Sequence, residues 1–399
     1  MSLQNTPSSE RLHIGFFGMR NAGKSSVVNA VTNQNLSVVS DVLGTTTDPV
    51  KKAMELLPLG PVVIIDTPGL DDEGTLGEMR VQKAKEVLSY TDIAVVVIDA
   101  QKGKSVEDNE LIKIIKERKL PYIIVYNKAD LVDTKETENN NEIYVSAHTN
   151  DNIDKLKDML ADLSKTSKNE KPLVSDLLCS GDLVVLVIPI DKAAPKGRLI
   201  LPQQMVMRDI LDHHCMCICC QDTELKSTLK MLSQKPRLII TDSQAFEKVA
   251  KDTPDDILMT SFSIIMARYK GDLNTLVQGA KALENIKDGD KILIAEGCTH
   301  HRQCNDIGTV KMPGWIEKFT NAKPQYSFTS GTTFPDDLSD FSLVVHCGGC
   351  MLNEKEMKSR MAKADAQNTP IVNYGVAIAH MHGILKRSLL PFKDIANIL

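Results

Sequence analysis

The chain has no apolar run near the roughly 20 residues that cross a bilayer. Its first ten residues are polar and lack the charged-then-apolar profile of an export signal. Both absences point to a cytoplasmic protein without a membrane partner. A basic surplus is missing too: 47 Lys and Arg against 52 Asp and Glu give a formal charge of −5. That balance weighs against a generic binder of nucleic acid or anionic membrane. No internal repeat recurs at a short fixed period. Disulfides are not expected, because nine cysteines are an odd number in a chain without an export signal. They read as free thiols or metal ligands. What remains is ordinary globular composition, 42% hydrophobic and 25% charged over 399 residues. That length accommodates two or three domains, each with its own core.

Taken in order, the chain reads as α/β throughout. From Leu12 to about Ser164, short β-branched runs at 62–65, 93–98 and 122–126 alternate with helices expected at 77–89, 106–118 and 152–163. Such runs suit a mostly parallel sheet covered by helices on both faces. Residues 136–142 read as a surface loop and 164–172 as a linker without an apolar anchor. The pattern restarts near Leu173, with strands expected at 183–188, 215–220 and 238–240 and helices at 203–211 and 224–232. A third unit begins near Ser263, with strands expected at 291–295, 342–345 and 371–372. The expected domains are therefore 11–165, 173–262 and 263–399.

The first unit carries Gly18-Met19-Arg20-Asn21-Ala22-Gly23-Lys24-Ser25 between an apolar strand and the helix opened by Ser26. This is the pattern of a phosphate-binding loop. Glycines let backbone N–H groups turn toward phosphate oxygens, and the helix N-terminus adds partial positive charge. Lys24 would reach the outer phosphates and the Ser25 hydroxyl would hold Mg²⁺. Further on, Gly44-Thr45-Thr46-Thr47-Asp48 offers Thr46 as a second magnesium ligand. In Asp66-Thr67-Pro68-Gly69, Asp66 can hold the metal through water and the Gly69 N–H can meet the terminal phosphate. Asn127-Lys128-Ala129-Asp130 ends a strand, where Asp130 can accept from the N1–H and 2-amino group of guanine. Adenine offers no such donor pair, so the motif selects GTP. Ser146-Ala147 can complete the base pocket through a backbone N–H. Each segment alone is weak; five in this order are specific.

Over roughly 11–163 the sequence resembles the TrmE–Era branch of small GTPases. Leu70 stands where Ras-like proteins carry the glutamine that orients the attacking water. It either leaves that task to something else or simply anchors the loop. Asn21 stands where potassium-stimulated members of the branch place an asparagine beside the phosphates. The resemblance implies a slow GTPase, with Lys24, Thr46, Gly69 and Asn21 at the chemistry and K⁺ supplying positive charge.

In the third unit, Glu296-Gly297-Cys298-Thr299-His300-His301 and His346-Cys347-Gly348-Gly349-Cys350 both follow expected strands. Both therefore lie at the carboxyl edge of the sheet, where α/β folds place ligands. Cys347 and Cys350 have the spacing with which two thiolates grip one metal centre. Asn353 with Glu356 reads as a capping box opening the next helix, whose dipole favours anionic sulfur. Three thiolates with an open position suit an iron–sulfur cluster; Cys3His suits zinc; unligated thiols are the third alternative. His346 precedes Cys347 in extended backbone and points the other way. His300 is the better fourth ligand, or a hydrogen-bond donor to one. Upstream, Cys215, Cys217 and Cys219 alternate along a strand beside Cys220, either as a packed face or as a second metal site. His380 and His382 read as packing or surface residues, and Cys179 and Cys304 have no partner pattern.

Cys-x-His followed by His-Cys-x-x-Cys, behind a GTPase domain and a small middle domain, resembles the HydF family, the GTPase scaffolds of FeFe-hydrogenase maturation. The resemblance covers nearly the whole chain. It implies a 4Fe–4S cluster on Cys298, Cys347 and Cys350 and a middle domain that forms a homodimer. It also implies a diiron precursor received from two radical-SAM maturases and delivered to apo-FeFe-hydrogenase. Two rivals differ in kind: a TrmE-like GTPase acting in tRNA modification, and a zinc-stabilised assembly GTPase without cargo.

Overall fold

The computed structural model describes residues 6–34, 49–69, 75–133, 137, 139–167, 171–190, 199–297 and 306–396. The chain forms two compact units, 1–170 and 171–399.

The first unit is a six-stranded sheet: β1 (Leu12–Gly18), β2 (Val50–Leu56), β3 (Gly60–Asp66), β4 (Ile93–Asp99), β5 (Tyr122–Asn127) and β6 (Glu142–Tyr144), in the order β2-β3-β1-β4-β5-β6. All neighbours are parallel except β2, which runs antiparallel to β3. Period-two alternation divides the apolar strands between two cores. Ile14, Phe16, Val62, Ile64, Val95 and Ile123 pack under α1 (Lys24–Thr32) and α4 (Ile153–Ser167). Phe17, Val63, Ile65, Val96, Ile98 and Ile124 pack under α2 (Thr75–Leu88) and α3 (Val106–Glu117). Burial on both faces explains why these strands read as unbroken apolar runs. The expected linker begins too early. α4 continues to Ser167, with Ser164 buried and its hydroxyl donating to the Ala161 carbonyl.

The second unit holds two four-stranded parallel sheets. In one, β7 (Leu183–Val187), β8 (Met216–Cys220), β9 (Leu238–Thr241) and β10 (Leu258–Ser261) lie in the order β10-β9-β7-β8. Around it run α5 (Leu201–Asp212), α6 (Leu225–Met231) and α7 (Phe246–Asp252). In the other, β11 (Lys291–Glu296), β12 (Gln325–Ser330), β13 (Leu343–His346) and β14 (Ile371–Asn373) lie in the order β12-β11-β13-β14. The remaining helices are α8 (Phe262–Lys270), α9 (Leu273–Ala280), α10 (Met312–Thr320), α11 (Glu354–Ala366), α12 (Tyr374–Met381), α13 (Leu385–Leu389) and α14 (Lys393–Ala396). One continuous apolar core runs through both sheets and includes Ile264, Ile265 and Met266 of α8. Ser261 caps that helix by accepting the Ile264 N–H. β8 is an edge strand, so its cysteines are graded rather than uniformly packed. Cys217 and Cys220 are intermediate and Cys219 is exposed, while Cys215, just before the strand, is buried. His380 and His382 pack edge-on against Phe319 and Trp315. Among the described residues no helix is long and apolar enough to cross a membrane.

Candidate functional site

Strands β1, β3 and β5 are parallel, so Gly18, Asp66 and Asn127 arrive together at one carboxyl edge. Gly18 closes β1, and a Cβ there would lie 2.2 Å from the Val97 carbonyl oxygen. The loop after it turns through Asn21 at φ 61° and Gly23 at φ 82°. Gly23 lies so close to Asn127 that an added Cβ would come within 2.2 Å of Nδ2. A side chain is excluded on both counts.

Asn127 is the staple of this edge. Its Nδ2 donates to the carbonyls of Ala22 (3.1 Å) and Gly23 (3.4 Å), and its Oδ1 accepts the Ala147 N–H (3.1 Å). One buried amide thus binds the phosphate-type loop to the base-type loop, and the Ala147 N–H expected to complete a base pocket is directed at Asn127. Ser25 Oγ donates to Asp66 at 2.8 Å, and Lys24 Nζ lies 3.5 Å from the same carboxylate. Thr67, buried at the end of β3, donates through its hydroxyl to the Phe16 carbonyl. Gly69 packs directly on Arg20, its virtual Cβ 3.0 Å from the backbone nitrogen. Ser26 is exposed on the first turn of α1. Asp130 is exposed, and the hydroxyl of Ser146 holds its carboxyl below the usual carboxylate range. Lys128, at φ 65°, donates to Asp99 at 2.6 Å. Sequence reasoning missed Asp99, although a carboxylate ending the buried run of β4 was a legible signal. Thr46 and Leu70 lie outside the described residues. The donor set fits its expected occupants: Ser25 and Asp66 offer paired hard oxygens for Mg²⁺.

The second site lies in the other unit, at the carboxyl edge of β11 and β13. Register pairs Ala295 with His346, and the Cys347 N–H donates to the Ala295 carbonyl. The Cys347 sulfur accepts N–H groups from Gly297 (3.0 Å) and Gly349 (3.4 Å). Gly349 supplies the second only because it sits at φ 61°, where a Cβ would also meet Met357 Sδ at 2.7 Å. Burial pushes the Cys347 thiol up to about 11, against the pull of those two donors. Burial raises Cys350 as well, opposed by the charge of Lys270. Amide donors aimed at sulfur are what a metal-bound thiolate uses, so the loop fits an iron–sulfur cluster or another thiophilic metal. Cys298, His300, His301 and Cys304 lie outside the described residues. Among the described residues no group of three or more His, Cys, Asp or Glu is arranged to hold a metal ion.

Two buried cations brace this loop, and the sequence reading found neither. Lys270, at the end of α8 and 2% exposed, donates to the carbonyls of Leu352 (2.7 Å) and Cys350 (3.1 Å). Arg360 on α11 donates to Glu356 (2.6 Å) and to the Gly331 carbonyl (2.7 Å). It also lies 3.0 Å from Nε2 of His346. Nδ1 of His346 is 2.8 Å from the Cys347 carbonyl, which only accepts, so Nδ1 carries the proton and Nε2 accepts from Arg360. Burial and the Arg360 charge hold His346 down to about 3. The ring is a neutral strut between the Cys347 carbonyl and Arg360. Asn353 caps α11 by accepting the Glu356 N–H, while the Glu356 carboxylate turns to Arg360.

Comparison with known proteins divides along the same lines. Residues 13–128 match the family of 50S ribosome-binding GTPases. Residues 173–271 match the hydrogen maturase F dimerization domain, and 274–391 the hydrogen maturase F tetramerization domain. The tRNA modification GTPase MnmE of Clostridioides difficile is 32% identical over 175 residues, 41% of this chain and 38% of that protein. GTPase Der of Nitratidesulfovibrio vulgaris is 37% identical over 131 residues, 32% of this chain and 26% of its own length. The chain thus spans less than half of the curated relatives it matches. An Aquifex aeolicus Era structure bound to GDP and AlF4⁻ aligns at 20% identity and TM-score 0.35, covering 52% of this chain and 92% of that one. The two maturase matches together take in more than half of the chain and follow a GTPase match; the chain belongs to the hydrogen maturase F (HydF) family, with a GTPase domain of the TrmE–Era type.

Proposed function

We propose that the chain is a GTP-hydrolysing scaffold. It holds a 4Fe–4S cluster on Cys298, Cys347 and Cys350 and carries the diiron precursor of the FeFe-hydrogenase active site from radical-SAM maturases to apo-hydrogenase. The observation that carries this reading is the Cys347 sulfur with its two amide donors, in a chain whose other unit brings Lys24, Asp66, Asn127 and Asp130 to one edge. Lys24 neutralises the outer phosphates, Ser25 and Thr46 ligate Mg²⁺, and Asp66 holds it through water. Gly69 donates to the terminal phosphate and Asp130 selects guanine. K⁺ beside Asn21 supplies the charge that an arginine finger supplies in other GTPases. At the cluster, an iron without a protein ligand is an exchangeable attachment point; His300 is the candidate to fill or release it. The match of 173–271 to a dimerization domain supports a homodimer. The division at 11–165, 173–262 and 263–399 and a cytoplasmic location complete the proposal.

Anaerobic purification with visible and EPR spectroscopy tests the cluster, and a colourless zinc protein would defeat it. Activation of apo-hydrogenase by the loaded chain tests delivery. Equal GTP turnover in potassium and sodium would remove K⁺ from the mechanism.

A further inference from the structure

The carboxyl edge of the first unit holds an ion pair whose carboxylate belongs to none of the nucleotide motifs. Register pairs Asp99, the last residue of β4, with Asn127, the last of β5, and the Ala100 N–H donates to the Asn127 carbonyl at 2.8 Å. The next residue, Lys128, turns left-handed at φ 65° and ψ 36°. It opens the 3₁₀ turn Ala129–Leu131, its carbonyl accepting the Leu131 N–H at 3.0 Å, and that turn carries Asp130. A residue with a Cβ resists this conformation, and the hold on Lys128 comes from the neighbouring strand. Its ammonium donates to Oδ2 of Asp99 at 2.6 Å, while Oδ1 accepts the Gln101 N–H at 3.0 Å. The Asp99 side chain is 8% exposed and that of Lys128 32%, so the carboxylate end is shielded from the water that weakens surface pairs. The Oδ1 contact is an Asx turn closing β4, which asparagine would make equally well. The Oδ2 contact needs the anion.

We propose that Asp99 is a positioning residue for guanine recognition. By holding the Lys128 ammonium it fixes the left-handed turn that sets Asp130 beyond the end of β5, where that carboxylate meets the N1–H and 2-amino group of the base. The inference rests on the assignment of Asp130 to guanine made above. Asp99 itself touches no nucleotide. An acceptor displaced by about 1 Å loses much of a directed hydrogen bond, so a loosened turn weakens the base contact and leaves the phosphate contacts of Lys24 and Ser25 in place. What is lost is binding shared by ground state and transition state, which raises KM rather than lowering kcat.

The test compares hydrolysis of GTP and of inosine triphosphate, which lacks only the 2-amino group. It uses the full-length wild type, Asp99→Asn, Lys128→Met, their double variant and Asp130→Asn. Wild type should favour GTP by roughly 10–100-fold in kcat/KM, the worth of one hydrogen bond to a charged acceptor. Asp99→Asn keeps the Asx turn and removes the anion. Its preference for GTP should shrink by about threefold or more, through KM, with kcat at saturation little changed. The double variant should lose no more than the worse single one. Wild-type preference in Asp99→Asn, a loss that falls equally on GTP and inosine triphosphate, or strictly additive singles overturns the proposal. So does an Asp99→Asn chain that fails to fold, because the carboxylate would then hold the sheet rather than the base site. If Asp130→Asn keeps the preference, the assignment of Asp130 to guanine fails and takes the role of Asp99 with it. A preference lost in Asp130→Asn but intact in Asp99→Asn defeats Asp99 alone.

Discussion

Arg360→Met is the most informative single perturbation of the second unit. Arg360 is 3% exposed, and its guanidinium serves Glu356, the Gly331 carbonyl and His346 Nε2 at 2.6, 2.7 and 3.0 Å. Methionine approximates its stem and removes every donor. Glu356, 7% exposed, then loses its charge-assisted bond to Arg360. Leaving one member of a buried ion pair behind costs about 3–5 kcal/mol. Glu356→Leu strands the cation instead and should cost a similar amount. In the double variant neither charge is stranded, so the loss should fall short of the summed singles by at least about 2 kcal/mol. Trp315 is the chain's one tryptophan and sits on α10 of this unit, so its emission during urea unfolding reports the second unit alone. A cost below about 1 kcal/mol for Arg360→Met, or strictly additive singles, would refute the assignment of Arg360 as the brace of this edge.

Gly23→Ala places a Cβ 2.2 Å from Asn127 Nδ2 at φ 82°, and left-handed strain alone costs roughly 1–2 kcal/mol. Its affinity for a fluorescent GTP analogue should drop at least about tenfold with the circular dichroism unchanged. Asp130→Asn removes the acceptor pair for guanine and should abolish GTP preference, which competition with xanthosine triphosphate would expose. Because the Ser146 hydroxyl holds the Asp130 carboxyl low, that carboxylate stays ionised above its ordinary value of about 3.9. The part of GTP affinity that Asp130 supplies, read as the ratio of wild type to Asp130→Asn, should therefore be flat from pH 8 to pH 5 and fall only as pH drops through the depressed value; a ratio that titrates near neutrality would contradict this. Asn21→Ala should erase any stimulation of GTP turnover by K⁺ over Na⁺.

The buried strands of both units were legible because burial on two faces leaves an unbroken β-branched run, and the helices of the first unit were legible between them. What sequence reading missed shares a physical cause. β2 (Val-Lys-Lys-Ala-Met-Glu-Leu) and β12 (Gln-Tyr-Ser-Phe-Thr-Ser) are edge strands with largely solvated faces, so neither apolar continuity nor strict alternation marks them. β10 has only four residues, and β6 only three after a polar stretch read as loop. Ser164 looked like linker because helix α4 ends in small polar residues that satisfy themselves locally, its hydroxyl bonding one turn back.

The two sites differ in legibility for a reason that bears on how each is held. A phosphate is gripped by consecutive backbone N–H groups, so its loop must be contiguous and glycine-marked, and one lysine and one hydroxyl follow at fixed offsets. Even its far staple, Asn127, belongs to a motif. The cysteine loop is contiguous only in its thiols. Its sulfur takes an N–H from Gly297 at the end of β11, its carbonyls are held by Lys270 from α8, and its entry is propped by His346 and Arg360 from α11. Gly297 and His346 lie inside the two cysteine motifs, but Lys270 and Arg360 lie at no spacing that advertises thiol chemistry, and sequence reading assigns such basic residues to solvent. The fold aims those donors at the loop through contacts within the protein itself. Damage at Lys270 or Arg360, 80 and 10 residues from Cys350, should therefore reach the thiols as directly as a change within the motif.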